Sequence, residues 1–331
     1  MTQRRATLPM LVLIPLILVG AFSEETPAQG PLIVRQGTPG LDPTLTYVHI
    51  TATGPRKGAL PLLHQDNVQI FENNVEQNIR YFAFENGPIT VAILGSPGDG
   101  GRDAPLAFLE ALILPQGQKP AGNDRELRVA ALADLQKRFA RVEYMWMEGA
   151  PPIVRVPFTV DLRQLPDAFP QSGASASDFV FVGLEVLKES AYRRKVVLLF
   201  AKGVTSNPAA EDDGPATDTY TQFAIRQDVP VYYVAQGSPA SQGFLNLQHL
   251  AELTGGDGIL TTNDLAAEDV VLDLAQELNN QYLIGYRPTN SAQDGGWRKL
   301  KVKLSPPESS PKMRARIKTG YYAPKEFVTT K

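Results

Sequence analysis

Three short runs constrain what this chain can fold into: "ITVAIL" (89–94), "KVVLLFA" (195–201) and "PVYYVA" (230–235). They are apolar on consecutive residues, not on alternate ones. A strand of that kind is covered on both faces, which is the condition of a strand inside a parallel sheet sandwiched by helices. Segments with helical spacing lie around them: "APLAFLEALIL", "DRELRVAALADLQKRFA", "SASDFVFVGLEVLKES", "TYTQFAIRQ", "FLNLQHLAELTGG" and "AAEDVVLDLAQELNNQ". In the second, Leu127, Ala130, Ala131, Leu135 and Phe139 carry the apolar spacing and predict its buried face. Ser175 and Asp178 have the spacing of a capping pair, and Gly255-Gly256 that of a helix stop. "RVEYMWM" and "IVRVPFTV" read as strands and "LRQLPDAF" as a short helix. The alternation predicts an α/β domain over residues 87–280, with a mostly parallel sheet flanked by helices.

The flanks change character. In residues 31–86, "LTYVHITATG" alternates apolar and polar residues, and "NVQIFENNVEQNIRYFAF" reads as strand, Asn-Asn turn, strand. In residues 281–324, "YLIGYRP", "WRKLKVKL" and "MRARIK" are three strands, the first two joined by a loop containing Asp294-Gly295. Two short isolated sheets would each be poorly stabilised, so the two ends are expected to pair as one β-rich unit.

Composition narrows the function. A formal charge of −3 over 331 residues argues against nucleic acid as a partner. The absence of cysteine removes disulfides, thiolate metal sites, cysteine nucleophiles and the lipidated cysteine of a lipoprotein. Arg4 and Arg5 precede an apolar stretch from Leu8 to Phe22, the pattern of a signal peptide over residues 1–23, with cleavage after Ser23 or after Ala28. The stretch is short for a membrane span. The expectation is an exported protein, periplasmic or secreted, with no stable membrane span after cleavage.

Several stretches together resemble the von Willebrand factor A (VWFA)-related domain of secreted bacterial proteins. They are "DNVQIFENNVEQNIRYF", "ITVAIL", "RRKVVLLFAKG" and the C-terminal "YLIGYRPTNSAQDGGWRKLKVKL" with "RIKTGYYAP". The resemblance runs from about Leu45 to Pro324. It implies a central sheet wrapped by helices, a ligand site above the carboxyl ends of the strands, and an adhesive or scaffolding role. In such domains the site holds Mg²⁺ through Asp-x-Ser-x-Ser after the first strand, a Thr on a second loop and an Asp after a later strand. Hydroxyls and carboxylates suit this hard cation, whose open position takes a partner's carboxylate.

Laid on that pattern, the first Asp falls on Gly95, the serines on Pro97 and Asp99, the Thr near Ala174 with Ser175 beside it, and the late Asp on Lys202. The metal site is therefore expected to be lost, with no metal and no cofactor. Gly95, Ser96, Asp99, Ser175 and Lys202 remain as candidate ligand-binding loops. The Lys202 ammonium, held by Asp99, would stand where the cation stood and accept the partner's carboxylate. The expected function is non-enzymatic binding or adhesion, toward a protein or a surface polymer.

Other readings compete. Gly95–Gly100 has the spacing of a phosphate-binding loop, but Gly101-Arg102 follows where Lys-Ser/Thr is required. A secreted hydrolase would use Ser96, His249 and Asp257, yet Pro97 removes the backbone N–H expected at an oxyanion hole. Metal-dependent adhesion returns if the loops align differently. The acidic residues 211–218 suit calcium or a solvated loop. His49 and His64 stand alone. Lys299, Lys301 and Lys303 share one strand face, suited to anionic glycans or lipid head groups, although lysine protection of an edge strand is the simpler expectation. Trp146 is either an exposed anchor or a core residue.

Overall fold

The computed structural model describes residues 41–54, 63–98, 101–115, 118, 122–169, 174–204, 215–261, 267–305 and 313–325. The chain enters through β1 (Thr46–Thr53), β2 (Val68–Glu72), β3 (Val75–Gln77) and β4 (Ile79–Phe84). It then winds an α/β unit: β5 (Ile89–Gly95), α1 (Ala104–Ile113), α2 (Arg125–Phe139), β6 (Val142–Glu148), β7 (Ile153–Thr159), α3 (Ala176–Leu187), β8 (Arg194–Val204), α4 (Pro215–Gln227), β9 (Val231–Gly237), α5 (Gln242–Thr254), β10 (Gly258–Thr261) and α6 (Ala267–Leu278). It closes through β11 (Gln281–Tyr286), β12 (Trp297–Leu304), β13 (Arg314–Arg316) and β14 (Gly320–Tyr322).

The central sheet has the order β10-β9-β8-β5-β6-β7, parallel throughout except for β7, which runs antiparallel to β6. Every residue of β5 is buried. Val91, Ile93, Val196 and Leu198 pack with α1 and α6 on one face. Ala92, Leu94, Val197 and Leu199 pack with α3, α4 and α5 on the other. The continuous apolar runs are the record of this double burial.

Helix α2 departs from its expected face. Leu127 and Phe139 are 62% and 70% exposed, and Ala130 and Ala131 are exposed too. The buried side is Arg128, Leu132, Ala133 and Gln136. Arg128 donates to the buried Glu110 of α1 at 3.1 Å, and the Gln136 amide oxygen accepts from the backbone N–H groups of Arg141 (3.0 Å) and Val142 (3.2 Å). A polar seam outcompetes the apolar stripe because each buried polar group there has a partner. Similarly, "LRQLPDAF" makes only a single 3₁₀ turn, Leu162–Gln164, which the Asp161 side chain caps.

The two chain ends do form one β-rich unit, as two four-stranded antiparallel sheets packed face to face. Their orders are β13-β1-β11-β4 and β14-β12-β2-β3. Val48, Ile50 and Ile284 of the first share a core with Val68, Ile70 and Leu300 of the second. The Asn73-Asn74 turn has both residues at positive φ (48° and 67°), the conformation that joins β2 and β3 as a tight hairpin. The strand read after that turn splits at Asn78: β3 stays with β2, whereas β4 pairs with β11 in the other sheet. Inside the sandwich, the buried Glu72 carboxylate accepts from the hydroxyls of Tyr286 (2.8 Å) and Tyr321 (2.6 Å), with Arg298 Nε 4.0 Å away. Burial, and then the neighbouring Glu72 charge, push both tyrosine hydroxyls well above the ordinary range, so both stay donors.

Ionic contacts join the sandwich to the amino-terminal ends of the parallel strands. Arg316, ending β13, pairs with Asp257 just before β10 and with Glu277 of α6. Lys318 pairs with Asp228 just before β9. The buried Arg194, opening β8, donates to the Gln281 side chain of β11 at 2.9 Å. Glu85, after β4, is held by Arg193, with His49 Nε2 at 3.8 Å.

Burial alone would raise the Glu85 carboxyl, but His49 and Arg193 outweigh it and hold it at about 2. A carboxylate whose pKa is depressed on folding contributes stability above its unfolded value, and that contribution fades as pH falls from about 4.5 to about 2. Its size is up to about 3 kcal/mol. Urea midpoints measured between pH 6 and 3 should fall steeply in the parent protein and less steeply in Glu85→Gln.

Candidate functional site

In the central sheet the chain leaves β5 toward β6 on one side and leaves β8 toward β9 on the other. Where the winding reverses, between β5 and β8, the carboxyl ends of the two strands mark the usual place of a ligand crevice in such sheets. The sandwich sits at the opposite, amino-terminal ends. The candidate site is therefore the crevice over Gly95 of β5 and Lys202 of β8.

Gly95 ends β5 at the level of Phe200 on β8, with φ +78°. A Cβ added there would lie 2.3 Å from the Phe200 carbonyl oxygen, so no side chain fits this backbone. Ser96 is buried; its hydroxyl donates to the Phe169 carbonyl at 2.7 Å and accepts from Gly98 N–H at 3.2 Å. Trp146, at the end of β6, is a core residue and not an exposed anchor. Its indole N–H donates to the Gly95 carbonyl at 3.1 Å, and its ring meets Phe169 edge to face at 5.0 Å. Asp99 lies outside the described residues.

The rim is tied by Arg125, the first residue of α2. It reaches Asp167 at 3.0 Å and the Pro166 carbonyl at 2.8 Å, and pairs with Asp103 just ahead of α1. Three loops are thereby fixed relative to one another. Ser175, exposed, caps α3: its hydroxyl accepts from Asp178 N–H at 3.1 Å and lies 2.7 Å from the Asp178 carboxylate. Lys202 is half-buried, level with Gln236 of β9, and continues the strand face of Phe200, the face that carries α1 and α6. Ser175 opens a helix on the other face. The structure thus brings Gly95 and Ser96 together on one pinned turn, with Lys202 on the adjacent strand and Ser175 at the start of α3.

The competing sites do not assemble. The Ser96 proton is directed at a backbone carbonyl. Asp257 sits three strands away from β5, at about 4.8 Å per strand, paired with Arg316. His249 is exposed on α5. After the glycine turn, Arg102 is exposed and Asp103 faces Arg125, so the start of α1 presents a carboxylate where a phosphate would need a cation. Among the described residues no group of three or more His, Asp or Glu side chains is placed to hold a metal ion. Of the acidic stretch, residues 211–214 lie outside the described residues, and the rest opens α4.

The edge expected from the lysines is found in part: β12 lies between β14 and β2 in the sheet order, but β14 pairs only with Trp297–Lys299, so Lys301 and Lys303 stand on a stretch partnered by β2 alone. The residues that sequence reasoning missed are Arg125 and Phe169. Neither stands in a recognisable motif, and their partners are 22 to 73 residues distant in sequence.

No protein-family model matches this chain. No curated protein matches it by sequence. Solved structures do match at the level of fold. One is a von Willebrand factor type A protein from Catenulispora acidiphila, at 9% identity over 78% of this chain and 76% of that one, with a TM-score of 0.40. Another is the vWF domain of the type V pili tip protein Mfa5 from Porphyromonas gingivalis, at 11% identity over 58% of this chain and 95% of that one, with a TM-score of 0.38. The human COPII-coat protein Sec24c matches at 11% identity over 73% of this chain, with a TM-score of 0.37, and the chain spans 44% of its length. Among the described residues no helix is long and apolar enough to cross a membrane.

Proposed function

We propose that this is an exported, non-enzymatic binding protein that takes a carboxylate of a partner protein into the crevice over β5 and β8 without a metal ion. The observation that carries the reading is Gly95. The position from which a metal-bearing relative would extend its first carboxylate has no room for a Cβ, while the adjacent strand carries the half-buried Lys202. The pinned surroundings support recognition over turnover: Trp146, Phe169, Ser96 and Arg125 hold the loops in one geometry, and the Ser96 hydroxyl is committed to a structural hydrogen bond. A fixed crevice loses little entropy on binding. The resemblance to secreted VWFA-related domains and the apolar N-terminal stretch support export.

The test is calorimetric titration of chelator-treated protein with Mg²⁺, Mn²⁺ and Ca²⁺, and then with a short Asp/Glu peptide. The expected result is no cation binding, and peptide binding that chelator leaves unchanged and Lys202→Ala weakens about tenfold or more. Peptide binding that requires Mg²⁺ overturns the reading, as does binding indifferent to Lys202→Ala.

A further inference from the structure

The outer face of the sheet β14-β12-β2-β3 lies on the sandwich, away from the crevice, and has a pattern of its own. On β12 the exposed residues are Trp297, Lys299, Lys301 and Lys303, while Arg298 and Leu300 turn inward. Alternate residues of a strand stand about 6.7 Å apart, so the three lysines leave one strand face in a row. Among the described residues no carboxylate pairs with any of them. Two of the lysines flank an aromatic: Lys301 is opposite Phe71 on β2, and Lys303 Nζ lies 4.9 Å from the centre of that ring.

The end of the row is built as a platform. The indole of Trp297 lies across Gly320 of β14 so closely that a Cβ there would fall 2.3 Å from the ring. Its centroid is 5.0 Å from that of Tyr322, and Arg226 of α4 covers the Tyr322 ring at 4.6 Å. A glycine is thus kept where any side chain would lift the indole off the sheet. Edge protection can account for Lys301 and Lys303, which stand beyond the reach of β14, but not for Lys299 or for the platform at Trp297, where β14 covers the strand.

We infer that this face docks a linear polysaccharide of uronic acids, carboxylates on the lysine row and a sugar ring on Trp297. The charge complementarity is local: the row is cationic in a protein of net charge −3. Among the described residues of β2 and β3 the acidic side chain on this face, Glu76 on β3, lies across the sheet beyond β2 and is engaged by Gln69 at 3.0 Å. A row along one strand fits an extended chain. A bilayer would be met by apolar side chains that project as wedges, whereas the rings here lie on the sheet under cations or over a glycine. Sugar rings pack their C–H faces on aromatic faces, which gives Trp297 a role that charge alone would not require.

The experiment titrates the full chain with polygalacturonate oligomers, with their neutral methyl esters, with dextran sulfate, and with vesicles of phosphatidylserine and phosphatidylcholine. Variants are the exposed triple substitution Lys299→Ser, Lys301→Ser, Lys303→Ser, and separately Trp297→Leu, with thermal midpoints confirming that each is folded. Polygalacturonate should bind, the methyl ester and the triple variant should each be about tenfold or more weaker, and Trp297→Leu should weaken the acid polymer several-fold. Dextran sulfate binding as well, with no effect of Trp297→Leu, overturns the inference in favour of an unselective cationic patch. Vesicle binding that polygalacturonate does not displace overturns it in favour of a membrane, and no polymer binding overturns it outright. Lys202→Ala should leave polymer binding unchanged. Loss there, with the triple variant unaffected, would place the polymer in the crevice and defeat this inference while sparing the other reading.

Discussion

Gly95→Asp, which writes a carboxylate back into the first metal-ligand position, is expected to yield a protein less stable by about 3 kcal/mol or more that still binds no divalent cation. Two costs combine. A non-glycine residue at φ +78° carries backbone strain of about 1–3 kcal/mol, and relieving a 2.3 Å contact with the Phe200 carbonyl requires β5 and β8 to part, an overpacking cost of about 1–3 kcal/mol. Gly95→Ala should lose nearly as much, because the conflict lies at Cβ and not at the carboxylate. Urea denaturation of both variants beside cation calorimetry decides the matter. A stable Gly95→Asp protein that acquires Mg²⁺ affinity would show that the turn can relax into a metal site, and the account of the crevice given above would fail.

The second large effect lies in the sandwich. Glu72→Leu should cost about 3–5 kcal/mol, the usual consequence of removing one member of a buried ionic cluster. The substitution strands two tyrosine hydroxyls and leaves Arg298 without the buried carboxylate it faces. Glu72→Gln keeps an acceptor for the tyrosines and should cost less. Adding Arg298→Met to Glu72→Leu should restore part of the loss, because it removes a buried guanidinium left with the half-exposed Asp294 as its carboxylate partner. Denaturant titration of the parent, Glu72→Leu, Arg298→Met and the double variant forms a double-mutant cycle, and a Glu72→Leu protein as stable as the parent would contradict the cluster's role.

What was legible in the sequence depended on how locally each feature is encoded. The runs at Val91, Val196 and Val231 announced buried strands because the condition for such a strand, apolar residues on both faces, is written in the strand itself. The Asn73-Asn74 turn and the Ser175 cap were legible for the same reason. The face of α2 was not: Arg128 and Gln136 are buried only because Glu110 and the Val142 backbone are there to receive them, and those partners lie on other elements. The cover that β14 gives to Trp297–Lys299 was hidden likewise, since the lysines of β12 report that one face meets solvent and say nothing of a strand lying beside only part of it. At the crevice, resemblance located Gly95, Ser175 and Lys202. That Gly95 is obligatory, and that Ser96 serves the fold, emerged only with the Phe200 and Phe169 carbonyls in place.

The pairing of the two chain ends also has a consequence for the timing of folding. β1 meets its partner β11 some 230 residues later, as the bond from Gln281 to Thr51 records. A chain emerging amino end first can complete the α/β unit while β1 still lacks β11 and β13 and the β2–β3 hairpin still lacks β12. Closing so long a loop is entropically slow, so the sandwich should be the last part to form. Until β12 arrives, Ile70 and its neighbours are exposed, and for that interval the nascent chain carries an uncovered apolar face open to aggregation.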